Sequence, residues 1–246
     1  MEGTKAIGEG HTLEERHLFR SAVRTMAAAS AVCACMAFLR IVYLDKITFY
    51  WLIVPNLLLA WIPLIASRLA VRTLADRRRP GLATIAWGAV WLAFYPNASY
   101  IATDLKHLSW ASTERTLYYD LSLNMLTATL GFLLGAVSLY MLHIEVRRRM
   151  GAKWGAAFAC AVHLLGAVGV YLGRVLRWNS WDLVVRPWRI VADAARIAVD
   201  PGALLFVAAF AVFTGTLYAV LYKFAVAGKL DANGRLHHPD EGAKPV

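Results

Sequence analysis

Apolar runs about as long as a bilayer is thick constrain this chain more than any other feature. A helix needs roughly twenty mostly apolar residues to cross the hydrocarbon core. Residues 21–44, 48–70, 117–143, 154–176 and 202–224 each meet that requirement. A further run starts at Leu82 and meets Pro96. Proline removes a backbone donor and crowds the preceding turn. A tilted span and a half-helix continued by a broken segment are therefore both open there. In lipid every backbone polar group must be satisfied internally, which leaves helices or closed barrels. Runs of this length select helices. The expected fold is all-α: an integral membrane bundle of about six transmembrane helices.

Composition agrees with that expectation. Hydrophobic residues make up 59% of the 246 and charged residues 17%, a poorer charge content than soluble domains carry. The formal net charge of +10 would suggest nucleic acid in a soluble protein. Here the basic residues fall in short loops between apolar runs, and no basic stripe interleaves with exposed aromatics. The charge is therefore topological, and nucleic acid is not an expected partner; the bilayer is. Cys33, Cys35 and Cys160 all lie inside apolar runs and are expected to pack as small apolar residues.

Lys and Arg stay on the cytoplasmic side of short loops. With the N-terminus inside and six alternating spans, that side collects 17 of the 26 basic residues, including Arg77–Arg79 and Arg147–Arg149. Removing the span that begins at Leu82 would put those two triplets on opposite sides, which argues for counting it. Residues 1–20 are then a cytoplasmic N-terminal segment, 21–226 the membrane domain and 227–246 a disordered cytoplasmic tail. The first run is long and lacks a clear cleavage site, so it is expected to be a retained span and not a signal peptide. The expected location is the inner (plasma) membrane of a cell.

This topology sends the two most unusual polar strings to the outer face. One runs from Tyr95-Pro96-Asn97 to Thr103-Asp104-Leu105-Lys106-His107, and the other is Arg174-Val175-Leu176-Arg177-Trp178-Asn179-Ser180-Trp181-Asp182. Asp120 opens the fourth span from the same side. Asp104 and His107 share a helix face, as do Arg174 and Arg177; Asn179 and Asp182 form a third pair. Small residues line the fourth span at Gly131 and Gly135. They line the fifth at Gly155, Ala159, Gly166, Gly169 and Gly173. Small stripes let helices approach closely in lipid, so spans four and five are expected to pack together and to bring Asp120 to Arg174 or Arg177. Residues 178–200 are too charged to span and rich in tryptophan, which suits an amphipathic or re-entrant segment at the outer interface.

Three functions fit these strings. The first is a binding or structural module, an outer-face cluster of Asn97, Thr103, Asp104, His107, Asp120, Arg174, Arg177, Trp178, Asn179 and Asp182. The second is an enzyme: Asp104, His107, Asp120 and Asp182 would supply acid/base groups, while Arg174 and Arg177 hold a phosphate or carboxylate bidentately. A lipid-linked phosphate or other anionic small molecule is the matching substrate. The third is transport, on a broken helix at Pro96 with Asn124 and His163 as polar residues at depth. No metal-ligand spacing recurs, and nothing in the sequence specifies a cofactor, a partner protein or an oligomeric state. Asn97-Ala98-Ser99 matches a glycosylation sequon, placed too near the membrane surface for use.

The Pro-Asn…Thr-Asp-Leu string from Tyr95, Tyr118-Tyr119-Asp120, the run from Gly131 to Leu139 and Arg177-Trp178-Asn179-Ser180-Trp181-Asp182 together resemble a bacterial multi-pass membrane family, domain of unknown function 1361. Ser99 stands where many members are expected to carry proline. The resemblance implies a membrane protein and brings no activity or residue role with it.

Overall fold

A computed structural model describes residues 2–44, 53–75, 80–101, 103 and 116–236. The described residues form a helical membrane bundle. Its elements are α1 (Glu2–Leu44), α2 (Ile53–Ala75), α3 (Leu82–Tyr100), α4 (Leu117–Met150), α5 (Ala152–Arg174), α6 (Asp182–Val185), α7 (Pro187–Ile197) and α8 (Pro201–Leu236). Among the described residues, five helical stretches are long and apolar enough to cross a membrane: His17–Tyr43, Ile53–Leu74, Leu117–Met150, Ala152–Arg174 and Pro201–Ala227. Helix α3 is shorter, with a polar final turn, and lies against α2, α4 and α5.

Side-chain contacts fix the direction of each helix. Trp61 Nε1 donates to Ser30 Oγ at 3.1 Å and Arg68 lies over the Phe19 ring, so α1 and α2 are antiparallel. Thr73 and Thr84 hydroxyls meet at 3.0 Å, joining the end of α2 to the start of α3. Trp91 Nε1 donates to Ser138 Oγ at 3.1 Å, and Ala98 lies against Gly131 and Gly135, which runs α3 antiparallel to α4. Helix α5 is antiparallel to α8 through Tyr171 and Phe206 near one end and His163 and Thr214 at depth. Strict alternation results, and α3 covers the return between α2 and α4. Arg149 donates to the Leu74 carbonyl at 3.0 Å, which sets the basic end of α4 beside the end of α2. The opposite end holds Arg40, Asp120 and Arg174. The first is the basic end of the bundle and the second its cluster end.

The sequence leaves open a break at Pro96. The structure closes that question: α3 continues through Pro96 to Tyr100. The ring is accommodated because the facing residue is Gly169. A Cβ there would stand 2.3 Å from Pro96 Cγ, so only glycine lets α5 pass so close. Gly166 receives the Tyr95 ring in the same way, and a Cβ on Gly131 would lie 2.5 Å from the Ala98 carbonyl oxygen. Small residues on α4 and α5 thus do create close packing, but toward the cluster end both stripes receive α3 instead of each other. Helices α4 and α5 meet directly at the basic end, where Gly155 faces His143. Gly151 turns the chain there in the left-handed region at φ 95°, a conformation that favours glycine. Asp120 in the first turn of α4 and Arg147–Arg149 in its last match the helix dipole.

Between α5 and α8 the chain turns through α6 and α7. Ile190 and Ile197 of α7 are buried where it packs on α5 and α8. Trp188 and Val191 are exposed on a second face, and Arg189 and Arg196 on a third. Apolar, packed and charged faces on one short helix suit the membrane interface, as expected of residues 178–200.

Candidate functional site

The two polar strings meet at the cluster end. Asn97 Nδ2 donates to Ser180 Oγ at 3.1 Å, and Ser180 Oγ reaches the Ala93 carbonyl at 3.5 Å. Arg174 Nε donates to Thr103 Oγ1 at 2.6 Å; its guanidinium lies 4.2 Å from the centre of the Tyr100 ring. Gly173 fits between the Tyr100 ring and the Trp178 carbonyl. Trp178 Nε1 donates to Asp193 Oδ2 at 2.9 Å, which ties the string to α7. Asp193 in turn accepts from Arg196 at 3.1 Å. Asp182 accepts from the Asn179 backbone N–H at 2.8 Å, and the Asp182 N–H donates back to the Asn179 carbonyl at 3.0 Å. The two bonds close the turn that leads into α6.

Asp120 departs from expectation. Instead of Arg174 or Arg177, it meets Arg40 at the end of α1. Arg40 Nε reaches Oδ1 at 2.6 Å and Nη2 reaches Oδ2 at 3.0 Å, with Thr116 Oγ1 at 3.3 Å. Both side chains are essentially fully buried, at 1% and 0% exposure. A two-pronged guanidinium–carboxylate pair is the strongest form of this contact. The reason for the difference is packing. Helix α3 occupies the seam between α4 and α5, while α1 lies on the other side of α4. Arg40 is the residue that sequence reasoning missed. Its signal is present in the sequence: a charge near the end of the apolar run 21–44 demands a partner in lipid.

Arg177 is exposed and has φ 59°. Helix α5 ends around it: Leu176 N–H reaches the Tyr171 carbonyl at 3.4 Å, and Trp178 N–H reaches the Leu172 carbonyl at 3.0 Å. Glycine is the usual residue where a helix closes through the left-handed region, so an arginine here is strained by about 1 kcal/mol. Asp104 and His107 lie outside the described residues. Among the described residues no group of three His, Cys, Asp or Glu side chains could hold a metal ion.

Deeper in the bundle, polar groups line the seam of α4, α5 and α8. Thr214, Tyr218 and Tyr222 share one face of α8. Tyr218 OH and His143 Nδ1 are 2.8 Å apart, and Arg147 donates to Tyr222 OH. His163 Nδ1 is 3.2 Å from Thr214 Oγ1. Asn124, expected to share a path with His163, instead donates to the Asp120 backbone carbonyl of its own helix at 2.8 Å.

The family model described as a protein of unknown function, DUF1361, matches residues 55–217. That stretch contains both polar strings and Asp120, and it excludes Arg40. No curated protein and no solved structure matches the chain.

Proposed function

We propose, from the premise that this chain belongs to the DUF1361 family of membrane proteins, that it is a membrane-embedded binding module whose cluster end takes a phosphate-bearing headgroup. The headgroup belongs to an anionic lipid or a lipid-linked molecule in the outer leaflet of a bacterial inner membrane. One observation carries this reading. Arg177 holds a strained left-handed conformation and still presents an exposed guanidinium. Strain of this kind persists where the side chain has a use. Arg186 and Arg189 are exposed nearby in sequence, and Trp181 and Trp188 are exposed as well, a residue type enriched at headgroup layers.

The pairing of the other polar groups supports binding over acid/base chemistry. Asp120 is engaged by Arg40, and Asp182 accepts the Asn179 backbone N–H in the turn before α6. Orientation belongs to the same proposal: the basic end faces the cytoplasm, supported by the 17 of 26 basic residues that alternation collects there.

Native mass spectrometry tests this reading. The protein is released from mixed phosphatidylglycerol and phosphatidylcholine bilayers, and the lipids that stay bound are counted. Retained phosphatidylglycerol should exceed phosphatidylcholine several-fold, and Arg177→Gly should reduce that excess while the protein stays folded. Equal retention of the two lipids, or an unchanged excess in Arg177→Gly, would overturn the proposal.

A further inference from the structure

Among the described residues, the buried side-chain polar atom without a hydrogen-bond partner is His163 Nε2. The histidine is 6% exposed. It lines a cavity bounded also by Tyr95, Ser99, Phe132, Ala136 and Thr214, where α3, α4, α5 and α8 converge. The space open to the centre of a water molecule is about 10 Å³, close to the least that holds one water. The residue that carries the unpartnered atom is one that lines the cavity.

The hydrogen bonds around His163 determine what it asks of a ligand. Thr214 Oγ1 donates its one proton to a main-chain carbonyl, Phe210 at 3.0 Å or Ala211 at 3.4 Å. Toward the imidazole the hydroxyl can therefore only accept, and Nδ1 carries the ring proton. Nε2 is left as a bare lone pair. Three species could satisfy it: a metal ion, a proton or a neutral donor. A metal would need further ligands, and no such group is present among the described residues. A proton would put a cation among tyrosine, serine and threonine hydroxyls and apolar walls. A neutral donor small enough for the space meets both limits.

We infer that this cavity is a binding site for one water molecule, which donates a hydrogen bond to His163 Nε2 at mid-depth in the bundle. The site is separate from the headgroup site at the cluster end. His163 lies 11 residues before Arg174 on α5, about 16 Å along a helix.

Solid-state NMR of the full-length protein, with ¹⁵N-histidine in lipid bilayers, reads the site directly. The His163 signals are assigned by their loss in His163→Gln. The expected ring is neutral, protonated on Nδ1, with an acceptor-shifted Nε2 and a cross-peak to water protons. In Ala136→Val, which adds two methyl groups to the wall, that cross-peak should vanish while the neutral Nδ1–H ring persists. An imidazolium at neutral pH, a proton on Nε2, or an Nε2 unshifted and without water contact in the unaltered protein would each overturn the inference. Persistence of the cross-peak in Ala136→Val would place the water elsewhere and would overturn it as well.

Discussion

At the scale of single residues, the consequential contact is Arg40 with Asp120. Two buried charges in a low-dielectric interior stabilise the fold only while both are present. Removing one strands the other, at a cost of about 3–5 kcal/mol. Asp120→Ala should therefore lower unfolding stability in detergent or bilayer by about that amount, and a loss below about 1 kcal/mol would refute the burial argument. Replacing both groups, as Arg40→Met with Asp120→Leu, should recover most of the loss, because no charge is left stranded. Asp182 makes a useful contrast. Sequence spacing gives it equal standing with Asp120, but among the described residues its carboxylate accepts only from the Asn179 N–H, in the turn before a four-residue helix. Asp182→Ala removes one hydrogen bond of a turn and should cost about 1 kcal/mol or less. Arg177→Gly has the opposite sign. Glycine relieves the left-handed strain at residue 177 and gains some freedom in the unfolded chain. Stability should stay level or rise by up to about 1 kcal/mol. A clear fall would mean that the guanidinium holds the fold together and is not reserved for a ligand.

At the scale of elements, the helices themselves were legible in the sequence because length and apolarity are local properties. The expected run at 154–176 became Ala152–Arg174, and the run at 202–224 lies inside Pro201–Leu236. What covers each helix was not legible, since that depends on partners distant in sequence. The stripes at Gly131, Gly135, Gly166 and Gly169 were visible, but their occupant was not. It is α3, whose Tyr95, Pro96 and Ala98 fill the notches. Pro96 illustrates the difference: locally it signals a break, and in the bundle it is a ridge fitted to Gly169. This yields a prediction at the same scale. Gly131→Ala sets a Cβ 2.5 Å from the Ala98 backbone oxygen, which cannot move alone. It should destabilise the bundle by about 1–3 kcal/mol. Gly88 has nothing within 4 Å of an added Cβ, so Gly88→Ala should be neutral or gain about 0.5–1 kcal/mol of helix preference. Equal effects of the two substitutions in thermal unfolding would show that α3 does not seat on α4 as described. The candidate site was legible to the same partial degree. The two strings were recognisable as polar residues beside apolar runs, and they do meet through Asn97 and Ser180. Asp120 was paired with the wrong arginine because α1 carries no sequence sign of which neighbour it packs against.

At the scale of the whole molecule, alternation of the helices divides the charge. The contacts of α1 with α2, α3 with α4 and α5 with α8 leave Arg147–Arg149 at one end and Arg174, Arg177 and Asp120 at the other. Short loops rich in Lys and Arg resist translocation, so the proposed orientation puts Arg147–Arg149 in the cytoplasm. Single cysteines can read this in a background where Cys33, Cys35 and Cys160 are replaced. Met150 and Asn179 are both exposed and stand at opposite ends. In intact cells, an impermeant thiol reagent should label Asn179→Cys and leave Met150→Cys unlabelled until the membrane is opened. Labelling of Met150→Cys alone would invert the orientation and move the proposed headgroup site to the cytoplasmic leaflet. Labelling of both from outside would break the alternation itself. The antiparallel order of α4 and α5, joined at Gly151, would then be wrong, and with it the contact that carries Arg174 to the cluster end.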